Sequence, residues 1–475
     1  MKKVLLLASE ALPFAATGGL GDVIGSLPAA LVAGGRVDAR VMLPLYRETA
    51  SAWRAQLREV VNVPVTLAWR QERCKVYTLT RDGVIFYFLE APQYFDRDGL
   101  YGHFDDAERF AFFCMAALCA LPRLDFYPDV LHANDWQAAL SVIYLRTHFG
   151  GDPAYRGIRT LLTIHNIAYQ GKFPHAILED VLGLDASRRS ELDFDGCINL
   201  MKGAILYADR VSTVSPRYAE EICTGAHGCG LDGILRENAH KLCGILNGID
   251  VARYDPATSQ IARPFTWRSI VRKRENKQAL QRELGLAERV DVPLFAVVSR
   301  LAAHKGLDLV AGMIHTLLQE DVQLVLLGCG DPGVEDFFRE LEAKNKHRVC
   351  AYIGYERALA TRIYAGCDLF LMPSRSEPCG LSQMIASRYG AIPVVRGVGG
   401  LADSIQPYRA AGEEIEGNGF VFFEDSPEAL LGACRAALAV WRDTPARAAL
   451  VRRVMRTDFS WARSACAYEQ LYAEL

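Results

Sequence analysis

The sequence lacks several features that would each point to a class of protein. It has no uninterrupted apolar segment long enough to span a bilayer, which predicts a soluble chain with no membrane partner. Neither half carries a long run of Lys or Arg, and the formal net charge of −3 is close to neutral. Because proteins that bind nucleic acid present a strongly basic surface, we do not expect nucleic acid as a partner.

Closely spaced cysteines are also missing. The 13 cysteines are scattered, none forms a C-x-x-C pair, and several lie inside apolar runs such as Phe112–Cys119. A disulfide framework or a zinc site would need cysteines at regular, short spacings. The distribution therefore predicts free, buried thiols in a reducing cytoplasm, with no disulfide framework and no zinc site.

Length and pattern indicate the architecture. With 475 residues the chain exceeds what one hydrophobic core usually serves, so two domains are expected. Apolar, β-branched runs alternate with longer amphipathic stretches, which is typical of strand-helix-strand units on parallel sheets. The predicted fold class is α/β, with two doubly wound, Rossmann-like domains facing each other across a deep cleft.

The predicted elements fall on either side of Trp267–Asp291, a charged, helix-prone segment. The expected strands are Lys3–Ala8, Ala39–Leu43, Val84–Leu89, Asp129–Ala133, Thr160–Ile164 and Arg210–Thr213 before it, and Pro293–Ser299, Val322–Leu327, Val349–Ile353, Cys367–Met372 and Ile392–Val395 after it. Helices are expected at Ala107–Leu121, Trp136–Thr147, Ser382–Tyr389 and, from apolar residues at helical spacing, Trp461–Leu475. Val60–Thr80 predicts an antiparallel hairpin that breaks at Trp69–Arg73.

The stretch Pro373–Leu381 turns sharply from a predicted strand into a predicted helix. It holds a carboxylate, Glu377, and a glycine, Gly380, whose missing Cβ lets a ligand approach the backbone. The free N–H groups at the start of the following helix favour an anion. A carboxylate for hydroxyls beside amides for phosphate suggests a sugar-phosphate ligand, although an ordinary capped loop explains the same residues.

Three kinds of stretch follow other predicted strands. Thr17–Asp22 is a glycine-rich turn that opens a helix, and it is either a phosphate or sugar site or a plain turn. His132–Trp136 and Thr163–Asn166 put a His or Asp at a strand end, where such a group orients a hydroxyl or serves the structure alone. Arg300 and Lys305 supply two positive charges, which would hold a diphosphate or remain solvated at the surface.

Two further motifs favour different functions. Gly328–Gly333 matches G-x-G-x-x-G, and Glu356 lies at the right distance downstream for a ribose contact, as in a dinucleotide-dependent oxidoreductase. Against this, the loop follows the second strand of its domain and Pro332 removes an N–H donor. Asp193–Asp195 is a D-x-D triplet that would bind a divalent cation or consist of exposed loop acids.

The motifs taken together resemble those of the bacterial glycogen synthase and plant starch synthase family. The resemblance extends to Asp458–Trp461 near the end of the chain, and the motifs that carry it are Ala16–Val23, His132–Trp136, Thr163–Asn166, Leu246–Asp250, Ser299–Arg300 with Lys305–Leu307, and Ser374–Leu381.

This resemblance implies the GT-B fold and a retaining transfer of glucose from a nucleotide sugar, usually ADP-glucose, to an α-1,4-glucan. The acceptor would be the 4-hydroxyl at the non-reducing end of the glucan, and neither a metal nor another cofactor would be needed. The resemblance also implies an acceptor domain, residues 1–250 completed by a C-terminal helix in 457–475, and a donor domain, residues 251–456.

Roles for individual residues follow from the same resemblance. The residues expected to bind the donor diphosphate are Arg300 and Lys305, with the turns that contain Thr17, Gly18, Gly19, Cys379, Gly380, Leu381 and Ser382. The sugar pocket is expected to contain Glu377, Asn247 and His165, the last with its backbone carbonyl near the anomeric carbon. Asp135 is expected on the acceptor side, and Tyr355 on the nucleotide base.

One residue departs from the family pattern. The family usually has Lys before Thr-Gly-Gly-Leu, where a cation serves the donor phosphates, and this chain has Ala16. UDP-glucose therefore stays open as the donor. Two different functions also stay open at this point: a dinucleotide-dependent oxidoreductase built on the Gly328 loop, and a catalytically weak relative that binds glucan.

Overall fold

The computed structural model describes residues 1–411 and 414–475. The strands are β1 (Lys2–Leu7), β2 (Val37–Pro44), β3 (Arg58–Leu67), β4 (Arg70–Arg81), β5 (Val84–Glu90), β6 (Val130–Asn134), β7 (Arg159–Ile164), β8 (Lys172–Phe173), β9 (Asp193–Phe194), β10 (Cys197–Asn199), β11 (Arg210–Thr213), β12 (Leu242–Gly244), β13 (Leu294–Val298), β14 (Gln323–Gly328), β15 (Val349–Ile353), β16 (Leu369–Met372), β17 (Ile392–Arg396), β18 (Arg409–Ala411), β19 (Glu414–Glu416) and β20 (Phe420–Phe422). The helices are α1 (Gly19–Ala33), α2 (Arg47–Trp53), α3 (Pro92–Phe95), α4 (Asp106–Ala120), α5 (Asp135–Thr147), α6 (Pro153–Arg156), α7 (Ile177–Asp180), α8 (Arg189–Leu192), α9 (Leu200–Tyr207), α10 (Pro216–Glu221), α11 (Asp232–Glu237), α12 (Lys273–Glu283), α13 (Leu307–Leu317), α14 (Pro332–Lys344), α15 (Arg357–Gly366), α16 (Ser382–Arg388), α17 (Gly399–Ser404), α18 (Pro427–Arg442), α19 (Thr444–Arg456) and α20 (Trp461–Glu474).

The chain forms two compact units. Unit 1 comprises Met1–Gly248 and Trp461–Leu475, and unit 2 comprises Ile249–Ser460. Each unit has its own sheet, mainly parallel in unit 1 and wholly parallel in unit 2, and its own buried apolar core. The strands predicted from the sequence are all present, with ends that differ by no more than two residues.

Unit 1 is built on a nine-stranded sheet in the order β12-β11-β7-β6-β1-β2-β5-β4-β3. Its neighbouring strands are parallel except for the pairs β3 with β4 and β4 with β5. The central strand β1 is fully buried over Val4–Leu7, because helices cover both faces of such a sheet. A small sheet of order β8-β10-β9 completes the unit.

The antiparallel excursion in unit 1 has its turn at Ala68-Trp69, so the prediction of a break at Trp69–Arg73 is wrong. Leu67 pairs directly with Arg70, and Ala68 has a φ of 52°, so two residues close the hairpin. The residues after the turn are polar because β4 alternates between solvent and core, not because the strand is interrupted.

Unit 2 is built on a six-stranded sheet in the order β15-β14-β13-β16-β17-β20, and every neighbouring pair is parallel. Two of its helices, α14 and α18, begin at side-chain caps. Asp331 accepts hydrogen bonds from the backbone N–H groups of Gly333 and Val334, and Ser426 accepts one from that of Ala429. Pro332 and Pro427 follow these caps, in the first turn, where a missing N–H costs nothing.

The terminal helix α20 belongs to unit 1. Its apolar stripe, predicted from spacing, is buried in the same core as β1 and β2, and the members of the stripe are Trp461, Ala465, Tyr468, Leu471 and Tyr472. The Tyr472 hydroxyl also lies 2.8 Å from Nδ1 of the fully buried His132 in β6. The helix is therefore fixed to the sheet by packing and by a buried hydrogen bond.

Both sheets contain a point where the strand order reverses. In unit 1, β1 lies between β6 and β2, and in unit 2, β13 lies between β16 and β14. Connections leave such a point toward opposite faces and open a crevice at the carboxyl ends of the strands, where ligands of these sheets bind. The loops that follow β1, β6, β13 and β16 carry most of the residues singled out from the sequence.

Among the described residues, no helix is both long and apolar enough to cross a membrane.

Unit 2 contains a buried lysine that joins three helices. The ammonium of Lys273 on α12 donates to the carbonyl oxygens of Tyr364 at 3.1 Å, Ala365 at 2.8 Å and Tyr389 at 2.8 Å. Two of these carbonyls lie in the last turn of α15 and the third directly follows α16. Carbonyl groups at helix ends have no intrahelical N–H donor, so the Lys273 ammonium satisfies all three.

Replacing Lys273 by Met should destabilise unit 2, because the three buried carbonyls lose their donor while the apolar stem is kept. Hydrogen bonds to a charged group are worth enough that we expect a loss of about 2–4 kcal/mol. Scanning calorimetry should show the unit 2 transition lowered by roughly 5–10 °C. Lys346→Met, at an exposed position, is the control, and an equal loss in both variants would contradict the role of Lys273.

Candidate active site

The crevice of unit 2 contains an ion pair between Lys305 and Glu377. Lys305 ends a short 3-10 turn, Ala303–Lys305, after β13, and Glu377 lies in the turn after β16. The Lys305 ammonium donates to Glu377 Oε2 at 2.6 Å, and the Ser374 hydroxyl donates to the same oxygen at 3.0 Å. Both side chains are largely buried, with 16% of Lys305 and 10% of Glu377 exposed, so the pair is little screened by solvent.

The hydrogen bonds to the Glu377 carboxylate are asymmetric. Those formed within the described residues are accepted by Oε2, and Oε1 accepts none of them. The backbone is held as well, because the Gly400 N–H donates to the Glu377 carbonyl at 3.1 Å. A Cβ on Gly399 would lie 2.1 Å from that carbonyl oxygen, so only glycine permits this approach. The arrangement leaves one carboxylate oxygen for the hydroxyl of a ligand.

Arg300 has a different environment from Lys305. Its side chain is exposed, and within residues 1–411 and 414–475 its guanidinium has no hydrogen-bond or ion-pair partner. Tyr355, after β15, is 78% exposed. An exposed guanidinium and an exposed aromatic ring are suited to a phosphate and to a nucleobase face, respectively.

The end of the Glu377 turn contains four of the predicted residues. Cys379 is buried, and Gly380 has a φ of +70°, where a Cβ would meet the amide of Gln383 at 2.6 Å. The N–H groups of Gly380 and Leu381 have no acceptor in the described part of the chain. Helix α16 then begins at Ser382 and has seven residues. The turn is therefore held by Gln383, whose amide donates to the carbonyls of Cys379 and Gly380 at 3.0 Å each.

In unit 1, the predicted turn Thr17–Gly19 is held by Glu10, a residue that none of the sequence motifs includes. The Glu10 carboxylate accepts from the Thr17 N–H and hydroxyl at 2.7 Å each and from the Gly18 N–H at 3.2 Å. The Tyr101 hydroxyl donates to it at 2.7 Å, and Glu10 itself is only 3% exposed. In this structure the N–H of Gly18 thus serves a protein carboxylate.

His165 and Asp135 lie together at the ends of β6 and β7. The His165 N–H donates to Asp135 Oδ1 at 2.7 Å, and Nε2 of His165 lies 2.9 Å from Asn134 Oδ1. Because the Asn134 amide nitrogen donates to the carbonyls of Leu7 and His132, its oxygen faces the imidazole, and Nε2 must carry the proton. Burial lowers the pKa of His165 to about 3, so the ring is neutral at pH 7.

Asp135 is strained and buried. It is the first residue of α5, it has a φ of +58°, and 8% of it is exposed. Burial raises the pKa of its carboxyl to about 7, although hydrogen bonds from the backbone N–H groups of His165 and Asn166 lower it. Backbone strain and a raised carboxyl pKa together are typical of functional sites.

The remaining predicted residue of unit 1, Asn247, follows β12. It is 6% exposed, and its Oδ1 is buried with no hydrogen-bond partner among the described residues. An orphaned amide oxygen is uncommon in a folded protein and is often found where a ligand or a water completes the set.

The glycine-rich loop after β14 and the D-x-D triplet have structural roles. A Cβ on Gly328 would lie 1.9 Å from the Ser299 carbonyl oxygen, and one on Gly330 would lie 2.4 Å from that of Leu301. Asp331 accepts the N–H groups that a pyrophosphate would use. The glycines therefore accommodate the neighbouring loop, and the oxidoreductase hypothesis is wrong. Asp193 pairs with His175, and the described residues contain no group of three or more His, Cys, Asp or Glu that could hold a metal ion.

All 13 cysteines are free thiols, but the expectation that they are buried is wrong for Cys229, Cys329 and Cys466, which are exposed. Those with raised pKa values owe the shift to burial, as at Cys114 and Cys434. Such thiols are inert packing groups, and Cys379 beside the site has the same buried character.

Sequence reasoning gave no role to several polar residues that hold these turns, although two of them, Asn134 and Ser374, lie inside the motifs that it singled out. These residues are Glu10, Tyr101, Asn134, Ser374 and Gln383. The only signal for Glu10 was a carboxylate directly after a buried strand, where an unpaired charge would be costly. Partners such as Tyr101, 91 positions away from Glu10, have no local signal at all.

Comparison with known families agrees with this geometry. The family described as starch synthase catalytic domain matches residues 3–237, and the family described as glycosyl transferases group 1 matches residues 281–452. The glycogen synthase of Geobacillus thermodenitrificans is 48% identical over 476 aligned positions, which cover 100% of this chain and 98% of that protein. The glycogen synthase of Geobacillus stearothermophilus is 47% identical with the same coverage.

Solved structures agree as well. The catalytic domain of starch synthase IV from Arabidopsis thaliana, bound to ADP and acarbose, superposes with a TM-score of 0.89 at 34% identity over 100% of this chain and 99% of that one. Sucrose-phosphate synthase from Thermosynechococcus elongatus has a TM-score of 0.62 at 17% identity over 100% and 99% of the two chains, which shows the shared fold. The predicted GT-B fold and the predicted resemblance are confirmed, and the chain belongs to the glycogen synthase and starch synthase family of glycosyltransferases.

Proposed function

We propose that this chain transfers glucose from ADP-glucose to the 4-hydroxyl at the non-reducing end of an α-1,4-glucan, with retention of configuration. The observation that carries the proposal is the Lys305–Glu377 pair with its asymmetric hydrogen bonding. It combines a cation for a departing diphosphate with a carboxylate oxygen for a sugar hydroxyl. The names of the relatives, and the ADP bound to starch synthase IV, support the choice of reaction and donor.

Unit 2 would be the donor domain. Breaking the anomeric bond builds negative charge on the diphosphate and positive charge on the sugar ring. The Lys305 ammonium has three N–H donors and gives one to Glu377, so two remain for phosphate oxygens. Arg300 adds a guanidinium suited to bidentate contact, and the N–H groups of Gly380 and Leu381 add neutral donors. Tyr355 would stack on the base.

Unit 1 would be the acceptor domain. The neutral His165 would bring its backbone carbonyl to the anomeric carbon, where an oxygen lone pair stabilises developing positive charge. Asp135 would keep that backbone in place through the His165 N–H and would face the acceptor. Asn247 would bind a glucose hydroxyl through its orphaned oxygen. The Thr17–Gly19 turn would contact the diphosphate, with the Gly18 N–H shared with Glu10 or released by it.

Retention is what membership of this family implies, and with no second carboxylate assigned to the reaction it fits attack from the front face of the sugar. With Glu377 paired to Lys305, it serves as a ligand for hydroxyls instead of a nucleophile. The leaving phosphate would accept the proton of the attacking 4-hydroxyl on the same face of the sugar. Exclusion of water from the site would suppress hydrolysis.

The free thiols are consistent with our placement of the protein in a reducing cytoplasm.

The decisive experiment supplies labelled ADP-glucose and UDP-glucose in parallel with glycogen and measures incorporation. We expect incorporation from ADP-glucose, and a loss of about 10²–10³-fold in Glu377→Ala because the sugar loses a charged acceptor. Glu340→Ala, at an exposed carboxylate of α14, is the control. Equal activity of wild type and Glu377→Ala would instead indicate a weak glucan-binding relative, and use of UDP-glucose alone would overturn the choice of donor.

Ala16→Lys should lower the KM for the nucleotide sugar several-fold and leave the KM for glycogen unchanged. Position 16 is exposed beside the Thr17 turn, so a lysine fits there without repacking and adds a cation for phosphate. Steady-state kinetics with each substrate varied in turn is the measurement. An unchanged donor KM with both nucleotide sugars would show that position 16 does not serve the donor.

Activity should depend on the ionisation of Asp135. Its carboxyl titrates near pH 7 in the folded chain, and the ionised form is the better acceptor for the His165 N–H. We therefore expect kcat/KM to rise with pH around a midpoint of about 7, and Asp135→Asn to remove this inflection. The folded state binds more protons than the unfolded state between the ordinary carboxyl pKa of 3.8 and about 7, so this group lowers stability as pH rises over that window. A profile identical in wild type and Asp135→Asn would contradict the assignment.

A further inference from the structure

Two arginines lie in the turns around the Lys305–Glu377 pair, and their environments differ. Arg300 is exposed and has no partner among the described residues. Arg375 uses most of its donors within the protein. Its Nη1 and Nη2 donate to Oδ1 and Oδ2 of Asp308 at 2.7 Å each, and its Nε donates to Asp425 Oδ2 at 2.8 Å. Arg375 is therefore engaged as a bridge and has little capacity left for a phosphate.

The contacts of Arg375 join two separate turns. Its side chain also donates to the Ala303 carbonyl at 3.2 Å, and its backbone N–H donates to the His304 carbonyl at 2.8 Å. Ala303 and His304 form the turn that ends in Lys305, and Arg375 itself lies two positions before Glu377. Side chain and backbone thus bind the Lys305 turn to the Glu377 turn.

Backbone packing shows how closely these turns meet. Gly306, directly after Lys305, has a φ of +67°, and a Cβ built on it would lie 2.1 Å from the Pro373 carbonyl oxygen. Even a methyl group would force the turns apart. The 2.6 Å separation of Lys305 Nζ and Glu377 Oε2 therefore depends on the docking of one turn on the other.

We propose that Arg375 is a positioning residue for the donor: its bidentate pair with Asp308, extended to Asp425, sets the geometry of Lys305 and Glu377 toward the diphosphate of the nucleotide sugar. This inference rests on the proposed function. Arg375 does not touch the donor and acts through the two turns. Arg300 would bind the diphosphate directly, whereas Arg375 would keep the Lys305 turn and the Glu377 turn in place.

An effect of Arg375 on donor binding can be distinguished from a general loss of stability, because Arg375 and its two carboxylate partners are partly exposed. Arg375 is 33% exposed, Asp308 61% and Asp425 40%, and ion pairs at such exposure contribute little to folding. Lysine cannot reproduce the planar, two-pronged contact with Asp308, so Arg375→Lys breaks the bridge while it keeps the charge. The expected effect is thus on donor binding more than on the melting temperature.

The test compares Arg375→Lys, Asp308→Asn and the double variant with wild type. We expect the KM for ADP-glucose and the calorimetric Kd of ADP to rise by about tenfold in each single variant. The KM for glycogen should stay unchanged, and the melting temperature should shift by less than about 2 °C. The double variant should be no worse than either single one, because both remove the same bridge.

Arg339→Lys is the matched control, since Arg339 on α14 also pairs with two carboxylates, Glu335 and Asp336, and its side chain contacts neither turn within the described residues. Unchanged ADP affinity in Arg375→Lys, or additive losses in the double variant, would overturn the proposal. Wild type that binds ADP without transferring glucose would overturn the proposed function alone, and ADP affinity lowered by Arg375→Lys would still support the bridge. Wild type that binds neither ADP nor UDP would overturn both.

Discussion

The constraint on which this molecule depends is the reversal of strand order in a parallel sheet. Connections from β1 and β13 leave toward opposite faces from those of their neighbours β6 and β16, and a crevice opens at the carboxyl ends of these strands. Side chains placed in the first residues after each strand must then converge. The sheets are rigid, and the short turns after their strands carry the functional side chains.

Convergence brings polar groups out of water, and each of them needs a partner. The buried carboxylate of Glu10 takes its hydrogen bonds from the Thr17 turn and Tyr101, and in return fixes the shape of that turn. The imidazole of His165 is held by Asn134, whose own amide is bound to two strand carbonyls. The same contacts thus satisfy the buried polar groups and position the functional ones.

Charge is divided between groups that are engaged and groups that remain available. Lys305 and Glu377 neutralise each other and still retain two N–H donors and one carboxylate oxygen for a ligand. Arg375 is engaged with Asp308 and Asp425, whereas Arg300 has no partner among the described residues. Residues of the same type therefore have different roles, which only their neighbours distinguish.

The sequence by itself determined the repeating strand-helix pattern, the strand positions and the motifs that carry the family resemblance, because burial on both faces and glycine-rich turns leave local signals. It also located Glu377, Lys305 and Asp135 just beyond predicted strands. Only the tertiary structure decided that the Gly328 loop accommodates a neighbouring loop, that Glu10 holds the Thr17 turn, and which arginine is engaged within the protein. The contacts of the Gly328 loop and of Arg375 join atoms that are tens of positions apart in the chain, and Glu10 meets Thr17 seven positions away. Neither kind of contact leaves a periodic trace in the sequence.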